Sequence, residues 1–265
     1  MLRQIDHIVI LVRDLDRASA DYADAGFTVV SGGVHAGGDT HNALVGFGDG
    51  VYLELIAFTE PDKEAPHRWW RRLAKGEGFI DYALLSSDLD TETTAMRGRD
   101  VNVEEPVVGG RDRPDGEHVG WKNLHLTAAP ARMALPFVIE DTTPRSLRVP
   151  GGDSARHANG ATGVTSLTLI VTDLAAATRR LGAVLDQPGE STRHSEGESK
   201  TFTVGPHALI LLQPTGTDTD AGKHLKAYGD SPYELALTGA SGLNLRATGL
   251  LPLDKTHGAR FGFSS

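Results

Sequence analysis

The 265-residue chain contains no cysteine. Disulfides, thiolate nucleophiles and thiolate-held metals are therefore excluded, and a reducing, cytoplasmic location is compatible with the absence. An excess of positive charge is also missing: 26 Lys and Arg stand against 35 Asp and Glu, a formal net charge of −9. No global basic field draws such a chain to nucleic acid or to an anionic membrane. The one basic cluster, HRWWRRLAK at 67–75, reads as the cationic face of a short helix. No apolar run is long enough to span a bilayer. The N-terminal MLRQIDHIVILV is only briefly apolar and has no small-residue cleavage pattern, so it reads as a first strand, not a signal peptide. A nucleotide-type Gly-rich loop, a Ser-centred elbow and an HExxH pair are all absent, so kinase and hydrolase readings lack support. Glycine, at 31 residues, is plentiful and points to many tight turns.

What is present is a repeat. DHIVILVRDL (6–15), IDYALLSSDL (80–89) and TSLTLIVTDL (165–174) each run through β-formers to Asp-Leu and then into helical sequence. Asp14, Asp88 and Asp173 are placed as helix N-caps. Short strands follow each helix. Module 1 offers 27–32, 41–47 and 51–58, the last two joined by the hairpin signal Gly48-Asp49-Gly50. Module 2 offers 101–108, 118–128 and 133–141. Module 3 offers 200–205 and 207–214, and a degenerate module 4 offers 233–239 and 259–264 with no convincing helix between them. The unit is strand-helix-strand-strand-strand. One face of such a sheet is covered by its helix and the other must be buried against a second copy. The expected organisation is one module pair over 1–142, a linker over 143–159 and a second pair over 160–265. Segments 59–66, 143–160 and 215–224 read as connections.

One position in this pattern is out of place. In VYLELIAF (51–58), Glu54 sits inside an apolar strand with no charged neighbour. A buried carboxylate must be paired, hydrogen-bonded or bound to a metal. Strand alternation puts Tyr52, Glu54, Ile56 and Phe58 on one face, and His7, Val9 and Leu11 on one face of the first strand. Asn42 and His41 fall on opposite faces of their strand, and Asn42 is preferred as the inward, substrate-bonding residue. His35 lies in GGVHAGG, read as a Gly-rich loop able to act as a lid. Arg113 could clamp a carboxylate. Asp115 belongs to a Pro-Asp-Gly turn.

These segments resemble the vicinal oxygen chelate superfamily, and more closely its glyoxalase-like domain branch. The residues that carry the resemblance are DHIVILVRDL, GGVHAGGDTHNALVGFGDGVYLEL (32–55), RPDG (113–116), LPFVIED (135–141), HANGA (157–161) and THGARF (256–261). The resemblance implies an α+β fold: repeated βαβββ modules forming two curled mixed β-sheets with flanking helices. It places metal ligands on the first and fourth strands of a module, where His7 and Glu54 stand. Counting back from each capping Asp aligns His7 with Asp81 and Ser166. The counterparts of Glu54 are apolar, Phe137 or Val138 in module 2 and Ile210 in module 3. Modules 3 and 4 are therefore expected to be non-catalytic. Asp81, His125 or His157 would supply a third ligand, with Asn159 beside His157 as a substrate contact. The implied cofactor is a divalent ion (Fe, Mn, Ni, Co or Zn), or none. The implied activity is lyase, isomerase or dioxygenase chemistry on a small oxygenated metabolite, with His7 and Glu54 at its centre. The alternative is a metal-free cup that sequesters a small molecule. The expected protein is a monomer or homodimer that binds neither nucleic acid nor membrane.

Overall fold

The three capping aspartates do what their position requires. In the computed structural model, which describes residues 2–113, 115–127, 134–239 and 252–264, Asp14, Asp88 and Asp173 accept the backbone N–H of Arg17, Thr91 and Ala176. Each opens a helix behind a first strand. Strand β1 (Leu2–Leu11) leads to α1 (Leu15–Asp24), β5 (Gly78–Ser86) to α3 (Leu89–Gly98), and β9 (Ala161–Ile170) to α5 (Leu174–Leu185).

The first half closes on itself. Strands β2 (Val30–His35), β3 (Thr40–Gly46) and β4 (Tyr52–Phe58) follow α1, and β6 (Val107–Asp112), β7 (His118–Leu124) and β8 (Phe137–Asp141) follow α3. With β1 and β5 they form a closed barrel in the order β1-β4-β3-β2-β6-β7-β8-β5. Two four-stranded modules thus meet along the β1–β5 and β2–β6 seams. The second half is an open six-stranded sheet ordered β10-β11-β12-β9-β13-β14. Its further strands are β10 (Glu190–His194), β11 (Gly197–Val204), β12 (His207–Pro214), β13 (Ser231–Gly239) and β14 (Arg260–Ser264). This is the α+β arrangement of curled mixed sheets with flanking helices that the resemblance implied.

Alternation divides the side chains. Ile8 and Ile10 of β1, Leu53 and Leu55 of β4, and Leu167, Leu169, Leu209, Leu211, Leu235 and Leu237 of the second sheet share one core, with α1, α3 and α5 packed into it. The second sheet therefore lies against the outside of the barrel. The opposite faces of β1 and β4 turn inward, where Val9, Leu11, Ile56 and Phe58 form a smaller apolar floor.

Several boundaries differ from the sequence expectation. GGVHAGG is only partly a loop: Gly32 to His35 belong to β2, with a bulge at Ser31/Gly33, and Ala36 to Gly38 turn the chain toward β3. Glycine is needed there because a Cβ at Gly32 would lie 2.0 Å from Asn42 Oδ1, and Gly33 holds φ +127° against the carbonyl of Asp112. The strand expected from Val101 starts only at Val107, and Val103 makes a lone bridge to Leu126. The basic cluster yields one short helix, α2 (Trp70–Leu73). The segment read as a linker contains a helical turn, α4 (Arg145–Arg148), and 215–224 contains the start of α6 (Asp220–Tyr228), capped by the Thr219 hydroxyl. The interval 240–251 lies outside the described residues. Among the described residues no helix is long and apolar enough to cross a membrane.

Candidate functional site

Four adjacent strands, β1, β4, β3 and β2, place His7, Glu54, Asn42 and His35 on the inner wall of the barrel. Each is mostly buried. Glu54 Oε1 accepts the Asn42 Nδ2 amide at 2.6 Å and lies 3.4 Å from His35 Nε2. Oε2 lies 3.6 Å from His7 Nε2. Burial alone would raise the Glu54 pKa, but His35, His7 and Asn42 outweigh it and hold it down to about 2. The carboxylate is therefore ionised at neutral pH. Its ion-pair partners among the described residues are two histidines, not an arginine.

Both imidazoles are anchored from behind. His7 Nδ1 lies 2.6 Å from Asp6 Oδ1. Burial works against the Asp6 charge, yet Arg148 and then His7 hold its carboxyl well below the usual range, so it accepts the Nδ1 proton. That leaves the His7 Nε2 lone pair facing Glu54. Tyr52 stacks on the His7 ring at 4.7 Å and Phe137 meets it edge-on at 5.3 Å. His35 Nδ1 lies 2.8 Å from the Thr40 hydroxyl. A lone pair cannot rest against an anion without a positive charge between or upon them. At His7 a cation between the two relieves the contact; His35 is relieved by its tautomer, with the Thr40 hydroxyl donating to Nδ1 and Nε2–H facing Glu54.

A buried ionic frame sits behind the wall. Arg148, 2% exposed, donates to both oxygens of Asp6 at 2.7 and 2.9 Å, to Asp141 at 2.5 Å and to the Tyr52 hydroxyl at 2.9 Å. Arg145 adds a contact to Asp6 and another to the carbonyl of Gly50. Across the barrel, Arg68 reaches Asp81 Oδ2 at 2.8 Å and stacks over Trp69 and Phe137. The Trp69 indole N–H and the Tyr82 amide also bond Asp81. Together these walls enclose a cavity of about 380 Å³, within the range of small-molecule sites.

The structure brings His7, Glu54, Asn42, His35 and Tyr52 to this cavity. It takes other candidates elsewhere. His157 is corrected: its Nδ1 accepts the Thr28 amide and its Nε2 bonds the carbonyl of Gly46, so it has no free nitrogen and does not line the cup. Asn159 is corrected likewise, because its side chain bridges Ala25 O and Ala161 N. Those two residues fasten the connecting segment to the barrel at Gly26, where a Cβ would come within 2.9 Å of Asn159. His41 points away from the cup, as alternation requires, and lines a separate groove with Arg13 and Glu77. Arg113 pairs with Asp115 at 2.7 Å and donates to Leu147 O, outside the cup. Asp81 is engaged by three donors. His125 lines the cavity with Nδ1 against Arg68.

Sequence reasoning missed Arg111, Arg148, Trp121 and His67 in the lining. Period-two alternation puts Arg111 and Arg113 on one face and cannot choose between them; β6 ends at Asp112, so only Arg111 is carried on the barrel wall. Arg148 carried none, because a four-residue helical turn inside a presumed linker has no readable period.

Among the described residues no three His, Cys, Asp or Glu side chains close around one point as a ready-made metal cage. His7, His35 and Glu54 come nearest. Ligand atoms about 2.0–2.2 Å from one ion stand about 3.0–3.6 Å from each other, and the two N···O separations, 3.6 and 3.4 Å, lie in that span. Two imidazoles with Nδ1 held from behind, plus an ionised carboxylate, are donors that fit a divalent ion.

The family model of the glyoxalase-like domain matches residues 5–185. No curated protein matches the chain. In fold the chain is similar to a hypothetical protein from Staphylococcus aureus, with a TM-score of 0.75 over 100% of this chain and 99% of that one at 15% identity. It is also similar to a mutant of 4-hydroxymandelate synthase from Streptomyces coelicolor, with a TM-score of 0.62, 14% identity, and 96% and 79% of the two chains covered. Likenesses this distant in sequence bear on the fold alone.

Proposed function

The chain belongs to the glyoxalase-like domain family, and from that premise we propose that the barrel cup is a divalent-metal site of an enzyme acting on a small oxygenated metabolite. The observation that carries the reading is the convergence of His7 Nε2 and His35 Nε2 on an ionised, buried Glu54. These three residues would hold the ion. When bound, it would polarise adjacent substrate oxygens and stabilise negative charge that develops there. Fe, Mn, Ni, Co and Zn all suit such a donor set, and lyase, isomerase and dioxygenase chemistry all suit such an ion.

The protein's own residues set the stage for that chemistry. Asp6 fixes the His7 tautomer and Tyr52 fixes its plane. Asn42 turns the Glu54 carboxylate by holding Oε1. Trp69, Trp121 and Phe137 keep water from the cavity floor. A second reading, a metal-free binding cup, has one observation in its favour. Asn42 already occupies one carboxylate oxygen, and the Nε2–H tautomer of His35 would add a second donor to it.

Elemental analysis of wild type and Glu54→Gln separates the two. The metal reading expects a stoichiometric divalent ion in wild type and its loss in the variant, with a melting temperature changed little because the amide keeps the shape. Wild type that holds no metal after purification, and after reconstitution with Fe(II), Mn, Ni, Co and Zn, overturns it in favour of the binding cup.

A further inference from the structure

Three arginines line the cup, and their charges are not matched alike. Arg148 is paired with Asp6 and Asp141, and Arg68 with Asp81. Arg111 is only 4% exposed, yet no carboxylate among the described residues lies within ion-pair distance of it. Its Nη1 donates to the carbonyl of Gly32, and its Nη2 to the carbonyl of Arg148 at 3.2 Å. Carbonyls satisfy hydrogen bonds but do not neutralise charge. A guanidinium does not escape by losing its proton, so a buried one without a counter-ion is unfavourable as it stands. Glu54 acts on it only from across the cup, and in the proposed function that carboxylate is committed to the metal. The wall beside Arg111 is aromatic: Trp121 on the adjacent β7 faces His35 edge-on at 6.2 Å, and Phe137 on β8 faces His7 edge-on at 5.3 Å.

Building on the reading of the cup as a small-molecule site, we propose that Arg111 pairs with a carboxylate carried by the substrate. The cup then takes a small aromatic or unsaturated organic acid in preference to a neutral carbonyl compound. The planar fork of arginine suits a carboxylate, and an apolar ring body suits the Phe137–Trp121 walls. Arg148 cannot serve this role, because two aspartates already hold it.

Salicylate and salicylamide test the inference. They share a ring and a pair of adjacent oxygens and differ in the negative charge. Calorimetric titrations use metal-loaded and chelator-treated protein, with metal content measured alongside. Wild type is expected to bind salicylate about tenfold or more tightly than salicylamide. Arg111→Gln is expected to erase the difference, and Arg111→Lys to keep part of it. Equal affinities in wild type, preference for the amide, or binding of neither probe at millimolar concentration overturns the inference. Should Arg111→Gln fail to fold, because Arg111 braces two carbonyls, the wild-type pair alone decides. Salicylate preference in a protein that takes up no metal even on reconstitution would sink the metal reading and leave this one standing. Bound metal with equal affinities would do the reverse.

Discussion

The two halves of the chain repeat the same strand positions and use them for opposite ends. In the first, β1 runs parallel to β4 and sets Val9 opposite Glu54. In the second, β9 runs parallel to β12 and sets Thr168 opposite Ile210. By that register Ile210 stands where Glu54 does, and Ser166 where His7 does. The antiparallel seams agree, with Val9 opposite Asp81 and Thr168 opposite Glu234. Even the packing at the end of each inward face repeats. Leu11 and Ile56 meet Trp69 and Leu73 beside α2, and the matching Ile170 and Leu212 meet Ala221 and Leu225 of α6. The outward faces are alike because they share one core, so a polar substitution there would disrupt both halves. The inward faces carry no such joint constraint. The fold is specified by one side of each strand, and the chemistry was free to persist or vanish on the other.

The largest break in the comparison should come from the ionic frame of the first half, where the second half has Thr165 at the position of Asp6. Arg148→Met leaves Asp6, fully buried, with only Arg145 and His7 as partners. Loss of one member of a buried pair costs about 3–5 kcal/mol, and denaturant unfolding should register it. A loss below about 1 kcal/mol would mean that Arg145 suffices.

The wall beside Glu54 can be tested without touching a charge. In Gly32→Ala, the new methyl would sit 2.0 Å from Asn42 Oδ1. The Asn42 amide must shift and its bond to Glu54 must lengthen. The expected effect is a loss of about 1–3 kcal/mol, together with weaker metal retention. Unchanged metal content would remove Asn42 from the account of the cup.

On the second half, the helix over the inward face supplies a pH-dependent contrast. His224 of α6 lies 3.0 Å from the Ser231 hydroxyl. Burial, assisted by Arg72, pushes its pKa down to about 4. A histidine depressed in the folded state protonates first in the unfolded chain. Its neutral form therefore contributes full stability above about pH 6.5, and that contribution fades as pH falls toward 4. The full span from 6.5 to about 4 sets an upper bound of about 3 kcal/mol, and solvent at the partly exposed ring lowers it. His224→Gln should flatten the stability profile between those limits, and an unaltered profile would show that His224 protonates without strain.

How much of this was legible depends on periodicity. The Asp-Leu junctions, the alternation around Glu54 and the apolar strands were readable because period two and capping chemistry are local. His7, Glu54 and Asn42 could be assigned to inward faces for the same reason. His35 was read as part of a loop because glycine normally interrupts strands. Here Gly32 and Gly33 stay in the strand because other atoms fill the space where their Cβ would be. His157 and Asn159 were drawn into the site by motif resemblance, while their actual partners are backbone groups of Thr28, Gly46 and Ala25, more than a hundred residues away. No local pattern distinguishes a histidine that fastens a connection from one that lines a cup.

The smallest expected effect is the sharpest check on the contrast between halves. Ser166 stands at the His7 position, on a strand face where the position of Glu54 is taken by Ile210. It is partly exposed, and the strand pairing on both sides of it uses only backbone groups. Ser166→Ala should change stability by no more than about 0.5 kcal/mol and leave metal content and salicylate affinity as in wild type. His7→Ala, the same kind of truncation one module pair earlier, should empty the cup of metal and disturb the Asp6 frame. The two variants, compared by melts, elemental analysis and titration, isolate position from context, since the strand geometry is shared. If Ser166→Ala altered metal or ligand binding, the second half would be taking part in the site, and the division of labour between the halves would have to be redrawn.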